Sequence, residues 1–218
     1  MVQKVHLRLP PKSMIPAKLH QVWIGDLPKQ YELWCAQMKE MNPRWQHRLW
    51  RDEVLELYKD DPIVAWMLGT NEKAAFIVDR IRVLLLRDFG GVYLDADCQP
   101  VRPLDSITLW GNDSIDFVAA MRNPDRSFVT LTAPGVAFVD NTFLASALDG
   151  RMAHRLCNLY TAVSRKHTGM SQGREILRNA DETTALLNWR YFYAEKEDPL
   201  SIVLHDGHNA GTWFKPAP

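Results

Sequence analysis

The sequence predicts an α/β fold, and three observations lead to that prediction. Strand-like apolar segments alternate, along the first half of the chain, with segments whose apolar residues recur at helical spacing. The longest helical pattern, residues 72–89, runs directly into the stretch Gly90–Asp97, which begins with a glycine that stops the helix and continues as a brief apolar strand. No repeat, low-complexity tract or linker interrupts the chain, so residues 1–218 are assigned to a single domain.

Composition places the chain among ordinary globular proteins and excludes several functional classes. Hydrophobic residues make up 46% of the sequence and charged residues 24%, while Lys plus Arg and Asp plus Glu number 26 each. This balance of charge gives no argument for a nucleic-acid partner or an anionic membrane, and no nucleic-acid partner is expected. Cys35, Cys98 and Cys157 are widely spaced, which favours a reducing compartment over a disulfide framework or a structural zinc site. No stretch is apolar enough to span a bilayer, so any membrane contact is expected to be peripheral.

The N-terminal elements follow from hydrophobic periodicity and from the residues that interrupt it. Prolines make residues 1–16 an irregular arm. The pattern then predicts a strand over 18–25, a helix over 29–41, a strand over 45–50, a helix from Asp52 to about Lys59 and an apolar segment over 63–68.

Later elements are shorter and less regular. The sequence predicts a strand over Phe117–Met121, short strands over Val129–Leu131 and Gly135–Phe138, a further element from Asp140, helices over Met152–Val163 and Arg174–Leu187, and a last strand from Ser201.

The longest helix and the stretch after it carry the candidate chemistry. Asp79 and Arg82 stand three residues apart, so they share a helix face and can form an ion pair. Asp95 and Asp97 follow the apolar strand, and alternation along a strand predicts that they point to the same side. Two carboxylates at the end of a buried strand are unfavourable unless a cation lies between or beside them.

This D-x-D stretch predicts a metal-assisted phosphate or nucleotide site. Hard divalent ions such as Mg²⁺ and Mn²⁺ prefer oxygen ligands and often bridge to phosphate oxygens. The alternative is a solvated turn after an edge strand, and the neighbouring motifs decide between the two.

Those motifs occur in an order that one family shares. They are Ile15–Gly25, Asn42–Asp52, Ala75–Arg82, Gly90–Asp97, Asp140–Phe143 and His208–Trp213. Together they resemble glycosyltransferase family 32, the DXD sugar-binding group that includes enzymes of capsular polysaccharide synthesis. The helix followed by G-G-x-Y-x-D-x-D is the most specific part. The resemblance implies a GT-A fold, in which helices flank a mixed central sheet.

The resemblance also implies roles for the matching positions. The donor would be bound by Trp23, Asp79, Arg82, Tyr93, Asp95, Thr212 and Trp213, with Trp23 stacked on the nucleobase. A divalent metal, Mn²⁺ or Mg²⁺, would be held by Asp97 and His208. The catalytic residues would be Asp95, Asp97, Arg82 and Asn141.

The implied activity is metal-dependent transfer of a sugar, with retention of configuration, from a UDP- or GDP-sugar to a glycan or other hydroxyl acceptor. Two alternatives stay open: a haloacid-dehalogenase-type phosphatase, whose first motif is also a D-x-D after an apolar strand, and an inactive module that binds sugar nucleotides or glycans. The short chain without a transmembrane anchor favours a cytoplasmic, bacterial or virus-encoded soluble form.

Overall fold

The computed structural model describes residues 14–121, 139–162, 169–188, 190–193 and 196–205. In these ranges the chain forms a six-stranded mixed sheet flanked by helices, and a separate two-stranded sheet. The strands are β1 Lys18–Val22, β2 Gln46–Trp50, β3 Gly91–Leu94, β4 Cys98–Pro100, β5 Phe117–Met121, β6 Val139–Ser146, β7 Thr184–Leu187 and β8 Val203–His205. The helices are α1 Lys29–Met41, α2 Glu53–Leu57, α3 Pro62–Gly69, α4 Ala74–Phe89, α5 Arg151–Ala162, α6 Gly169–Asn179 and α7 Arg190–Tyr193. The predicted α/β class is confirmed.

The strand order places the D-x-D stretch at the centre of the large sheet. The order is β2-β1-β3-β6-β5-β7, and β4 pairs with β8 beside it. β1 is parallel to β2 and β3, whereas β6 is antiparallel to β3 and β5. Because β6 runs the opposite way, its first residues lie at the same edge as the carboxyl ends of β1 and β3. The backbone N–H of Asp95 donates to the carbonyl of Thr142 at 3.0 Å, which joins β3 to β6 at that edge.

Both faces of β3 are covered by apolar side chains. Val92 and Leu94 pack in a cluster with Met38 of α1, whereas Tyr93 packs in a second cluster with Ile81 and other residues of α4. Alternation along the strand therefore separates the two clusters. A strand buried on both sides delivers Asp95 at a fixed point, since it can neither tilt nor slip without opening one of them.

Helix α4 lies so deep that it buries charges as well as apolar residues. Every residue from Ile77 to Leu86 is buried, including Asp79, Arg80 and Arg82. The predicted helix over 72–89 is confirmed, with its start at Ala74. Buried charges need partners, and those partners define the site described below.

Two predicted elements differ from the structure. The predicted helix over Arg174–Leu187 is wrong in its second half, because α6 ends at Asn179 and the last four residues form β7, parallel to β5. The Asp181 carboxylate accepts from the Thr183 N–H at 3.0 Å and makes the turn between them. Pairing with β5 outweighs local helix preference. The apolar segment 63–68 belongs to helix α3, whose first N–H groups are capped by Asp61.

Several predictions fall beyond the described part of the chain. The short strands over Val129–Leu131 and Gly135–Phe138 lie outside the described residues, as does most of the N-terminal arm. The assignment of the whole chain to one domain stays a prediction. None of the described helices combines the length and apolar character needed to cross a bilayer.

Candidate active site

Gly90 and Gly91 allow α4 to pass directly into β3. Their φ angles are positive, +61° and +94°, in a region that residues with a Cβ rarely adopt. A Cβ on Gly91 would lie 2.6 Å from the carbonyl oxygen of Lys18 on β1. The lack of a side chain therefore lets β3 approach β1 and sets where the strand begins.

Neighbouring side chains of β1 hold both ends of β3. The Nε2 atom of His20 lies 3.0 Å from the Gly90 carbonyl, and its Nδ1 atom accepts from Trp50 Nε1 at 3.1 Å. These partners require the neutral Nε2–H tautomer, and burial lowers the pKa of His20 to about 4. Beyond the other end of β3, Gln21 Nε2 donates to the Asp95 carbonyl at 3.3 Å. His20 and Gln21 thus fix the backbone on either side of the four-residue strand β3.

Helix α4 and β3 bring together the charged residues that the sequence pointed to. Arg82 Nη2 lies 2.9 Å from Asp79 Oδ1, and Arg82 Nη1 lies 3.3 Å from Asp95 Oδ1. The guanidinium carbon lies 4.6 Å from the centroid of the Tyr93 ring, and the Tyr93 hydroxyl donates to Asp95 Oδ1 at 2.8 Å. The predicted pairing of Asp79 with Arg82 is confirmed, and Arg82 also joins α4 to the D-x-D stretch.

Residues of β6 and α6 add further hydrogen bonds to Asp79 and Arg82. Asn141 Nδ2 donates to Asp79 Oδ1 at 2.7 Å and to Gln172 Oε1 at 3.2 Å, while the Asn141 carbonyl accepts from Arg82 Nη1. Gln172 Nε2 donates to the Asp79 carbonyl at 2.7 Å. Sequence reasoning selected Asn141 but missed Gln172. Gln172 is one of several polar residues in an amphipathic helix, and nothing in that pattern indicates which of them has a buried partner.

The second aspartate meets a histidine that sequence reasoning did not select. His205 Nε2, at the end of β8, lies 3.4 Å from Asp97 Oδ1 and 3.8 Å from Asp95 Oδ2. His205 is the register partner of Cys98 across the small sheet. One ligand atom from each of Asp97, Cys98 and His205 lies within 4.8 Å of the others. Only the pairing of β8 with β4 places this histidine at the site.

The two aspartates converge as predicted, but by a different route. β3 ends at Leu94, and a turn at Ala96 and Asp97 precedes β4. The turn, not strand alternation, brings Asp97 to the same histidine as Asp95. It also leaves Cys98 within reach of Asp97, whereas alternation predicts that their side chains point apart.

Opposed charges shift the pKa values at this edge. Burial lowers the pKa of His205, but its hydrogen bond to Asp97 and the charges of Asp97 and Asp95 outweigh burial and raise it to about 9. Burial raises the pKa of Asp95 to about 6; Asp97 adds to this effect, and Arg82 opposes it. Asp95 and Asp97 therefore both depend on the positive charge of His205.

Acidic groups exceed basic ones in the described part of this site. The network and the surroundings of His205 hold four carboxylates and two cations; they are Asp79, Asp95, Asp97 and Asp140 against Arg82 and His205. All but the partly buried His205 are buried. Excess negative charge in a low-dielectric setting favours a bound cation.

Two residues of the predicted donor set are enclosed. The Trp23 side chain is 3% exposed, its ring centroid lies 5.2 Å from that of Tyr31, and it packs in one cluster with Ala96 of the D-x-D turn. Its stacking on a nucleobase stays a prediction. Tyr93 has no exposed surface, so the structure places it behind Asp95, which it holds by its hydroxyl. His208, Thr212 and Trp213 lie outside the described residues, and their roles stay predictions.

A family model described as "Glycosyltransferase sugar-binding region containing DXD motif" matches residues 28–115. That range contains Asp79, Arg82, Asp95 and Asp97, the four acidic and basic residues that α4 and the D-x-D stretch bring together. Over these residues the chain is similar to glycosyltransferase family 32. The resemblance inferred from the motifs is thereby confirmed.

Several curated relatives of this chain are fungal enzymes. The chain is 32% identical over 104 residues to Mannosyl phosphorylinositol ceramide synthase SUR1 of Saccharomyces cerevisiae, covering 45% of this chain and 27% of that protein. It is 29% identical over 104 residues to Inositol phosphoceramide mannosyltransferase 3 of Schizosaccharomyces pombe, covering 44% and 28%. The chain thus spans about a quarter of the length of the curated relatives it matches. The predicted cytoplasmic, bacterial or virus-encoded form is wrong, because these relatives are yeast enzymes whose names refer to ceramide lipids.

A solved structure supports the fold assignment. The structure named PaToxG Glycosyltransferase aligns with a TM-score of 0.57 over 77% of this chain and 71% of that one, at 15% sequence identity. The predicted GT-A fold is confirmed.

Proposed function

We propose that this chain transfers a sugar from a UDP- or GDP-sugar to a hydroxyl acceptor, with retention of configuration. The observation that carries the proposal is the meeting of Asp79, Arg82, Asp95, Asp97 and His205 at one edge of the sheet, with acidic groups in excess. Such a site suits a donor whose diphosphate arrives with a divalent cation. The match to the DXD family model and the GT-A fold support this proposal over the phosphatase alternative.

In this proposal the chain's own residues bind and orient the sugar half of the donor. Asp79 and Asp95 each share a carboxylate oxygen with Arg82, and an ionised carboxylate has further acceptor positions for the hydroxyls of ribose and sugar. Arg82 fixes the separation of the two acceptors and reduces their mutual repulsion. The hydrogen bond from Tyr93 restrains the side chain of Asp95, and the hydrogen bond from Asn141 restrains that of Asp79. Preorganised acceptors of this kind lower the barrier by holding the donor in a reactive geometry.

The residues at the D-x-D turn fit a divalent cation. Asp97 Oδ1 and His205 Nε2 lie 3.4 Å apart, a separation at which both atoms can bind one ion. Burial raises the pKa of the Cys98 thiol well above its usual value, which disfavours the thiolate that metal binding requires. We assign Asp97 and His205 as ligands, with His205 losing its proton when an ion binds. We assign Mn²⁺ as the ion, since a mixed oxygen and nitrogen set suits it better than Mg²⁺. When bound, the ion neutralises charge on the departing diphosphate.

The relatives indicate which acceptor to test first. Their names describe mannosyl transfer to inositol phosphoceramide. We therefore propose a mannose nucleotide as the donor and an inositol-phosphate lipid headgroup as the acceptor class. A free glycan is the second acceptor to test. The domain would meet a lipid acceptor by peripheral contact with the bilayer.

A donor panel tests the proposal. The protein is incubated with UDP- and GDP-sugars, GDP-mannose among them, with and without Mn²⁺, and release of nucleoside diphosphate is measured. Transfer is then measured with vesicles that contain inositol phosphoceramide and with free oligosaccharides. We expect Mn²⁺-dependent release from one donor and labelled product with one acceptor. Donor binding without release would instead support the inactive binding module, and neither binding nor release with any donor would overturn the proposal.

A further inference from the structure

Gln172 of α6 contacts the donor-binding network although it lies far from it in sequence. Its Nε2 donates to the Asp79 carbonyl at 2.7 Å, and its Oε1 accepts from Asn141 Nδ2 at 3.2 Å. The side chain has no exposed surface. Both ends of the amide are thus used, one as donor and one as acceptor, which fixes its orientation.

The neighbouring glycine explains how α6 comes close enough for this contact. A Cβ on Gly173 would lie 2.0 Å from the carbonyl oxygen of Val139, at the start of β6. Only glycine permits helix backbone and strand backbone to touch at this point. The Gln172–Gly173 pair therefore docks α6 on β6 directly beside Asn141, two residues after Val139.

The contact of Gln172 extends to the carboxylates through a short chain of partners. Asn141 Nδ2, held by Gln172, donates to Asp79 Oδ1 at 2.7 Å. The same Asp79 oxygen lies 2.9 Å from Arg82 Nη2, and Arg82 Nη1 lies 3.3 Å from Asp95. Gln172 thereby restrains both the backbone and the side chain of Asp79. Along this chain of contacts, the two proposed metal ligands lie beyond Asp95, since His205 Nε2 is 3.8 Å from Asp95 Oδ2.

We propose that Gln172 is a positioning residue for the donor sugar: it holds Asp79, and through Asn141 the Asp79–Arg82–Asp95 group, in the geometry that binds donor hydroxyls. The inference rests on the proposed function. It divides the site into a donor half, which depends on α6, and a metal half, which depends on β8. A buried amide in a purely structural role would affect both halves alike, through stability.

The test substitutes Gln172→Met, which keeps the length of the side chain and removes both hydrogen bonds. Thermal unfolding and circular dichroism verify the fold. The KM for the donor that is active in the panel is measured by nucleoside diphosphate release, and Mn²⁺ affinity is measured by electron paramagnetic resonance. We expect the donor KM to rise about tenfold, in line with two lost hydrogen bonds, with Mn²⁺ affinity unchanged. Gln37→Met, at an exposed position of α1, is the matched control and should change neither.

A double-mutant cycle with Asn141→Ala adds a second readout. Because the two amides act on the same carboxylate, the combined loss in donor affinity should be smaller than the sum of the single losses. Should Gln172→Met fail to fold, Gln172→Asn, whose shorter side chain cannot keep both hydrogen bonds and adds no charge, undergoes the same measurements with the same expectation.

Three results would overturn the inference. An unchanged donor KM in an otherwise active Gln172→Met protein removes the positioning role and leaves the proposed function intact. Equal losses of donor and Mn²⁺ affinity would show a general structural role. A wild-type protein that neither binds nor cleaves any donor would remove the proposed function, and this inference with it.

Discussion

Helix α4 carries two buried arginines, two positions apart, whose surroundings differ in charge. Arg80 forms two hydrogen bonds to Asp61, Nε to Oδ1 at 3.1 Å and Nη2 to Oδ2 at 2.7 Å, and donates to the Cys157 carbonyl at 2.6 Å. Arg82 instead divides its guanidinium between Asp79 and Asp95. Each arginine is almost fully buried, so exposure does not explain the contrast.

The contrast shows in the carboxylates that the arginines contact. Burial by itself would raise the pKa of Asp61, but hydrogen bonds from Arg80 and from the Val64 and Ile63 N–H groups lower it below its usual value. Burial raises the pKa of Asp95 to about 6, because the shared Arg82 does not compensate for burial, and the nearby Asp97 adds to the increase. The first pair is balanced and supports the fold. The second group is left with acid in excess, which is the charge state that a cation and a diphosphate donor would complete.

The balanced pair offers the largest expected effect on stability. Arg80→Met leaves Asp61 buried without its guanidinium, and we expect the free energy of unfolding to fall by about 3–5 kcal/mol. Urea denaturation measures it. Arg178→Met, at an exposed position of α6, is the control. The double variant with Asp61→Asn should recover part of the loss, because the uncompensated charge is removed; no recovery would mean that Arg80 acts through packing alone.

Substitutions in the acidic group around Arg82 should lower activity without lowering stability. Asp97→Asn removes one excess charge and a proposed metal ligand, so we expect Mn²⁺-dependent turnover to fall by about 100-fold or more, with a melting temperature equal to or above that of the wild type. Asp113→Asn, on an exposed loop, should leave turnover unchanged. Near-normal Mn²⁺-dependent turnover in Asp97→Asn would contradict the assignment of Asp97 to the metal half of the site.

A smaller expected effect is the pH dependence of stability that comes from His20 on β1. His20 is held neutral in the fold with a pKa of about 4, against 6.5 when unfolded. The unfolded chain therefore binds more protons between these values, and stability is lost as pH falls below 6.5. Between pH 7 and pH 5 this group should remove about 2 kcal/mol of stability. His20→Gln, which can keep both hydrogen bonds without titrating, should show a correspondingly flatter dependence in denaturation curves. Parallel curves for the two proteins would rule out this role.

Local pattern was sufficient for the parts of the site that are contiguous in sequence. The spacing of Asp79 and Arg82 on one helix predicted their ion pair, and Gly90 predicted the passage from α4 into β3. The same reasoning failed over Thr184–Leu187, where helical spacing describes residues that pair with β5. It also failed for His205 and Gln172, because a residue's usefulness to a distant site depends on which strand or helix packs beside it.

The sequence by itself indicated the family resemblance, the fold class and the acidic centre, since these rest on short motifs whose geometry is set within one helix and one strand. The tertiary structure decided which residues complete that centre. It replaced strand alternation by the turn at Asp97, brought His205 to that turn by pairing β8 with β4, and used Gly173 to place Gln172 against Asp79. It also gave Arg80 a single carboxylate partner, Asp61, and divided Arg82 between Asp79 and Asp95. In each case the physical reason is the same: a buried charge or amide takes its role from the partners that packing supplies, and those partners come from remote parts of the chain.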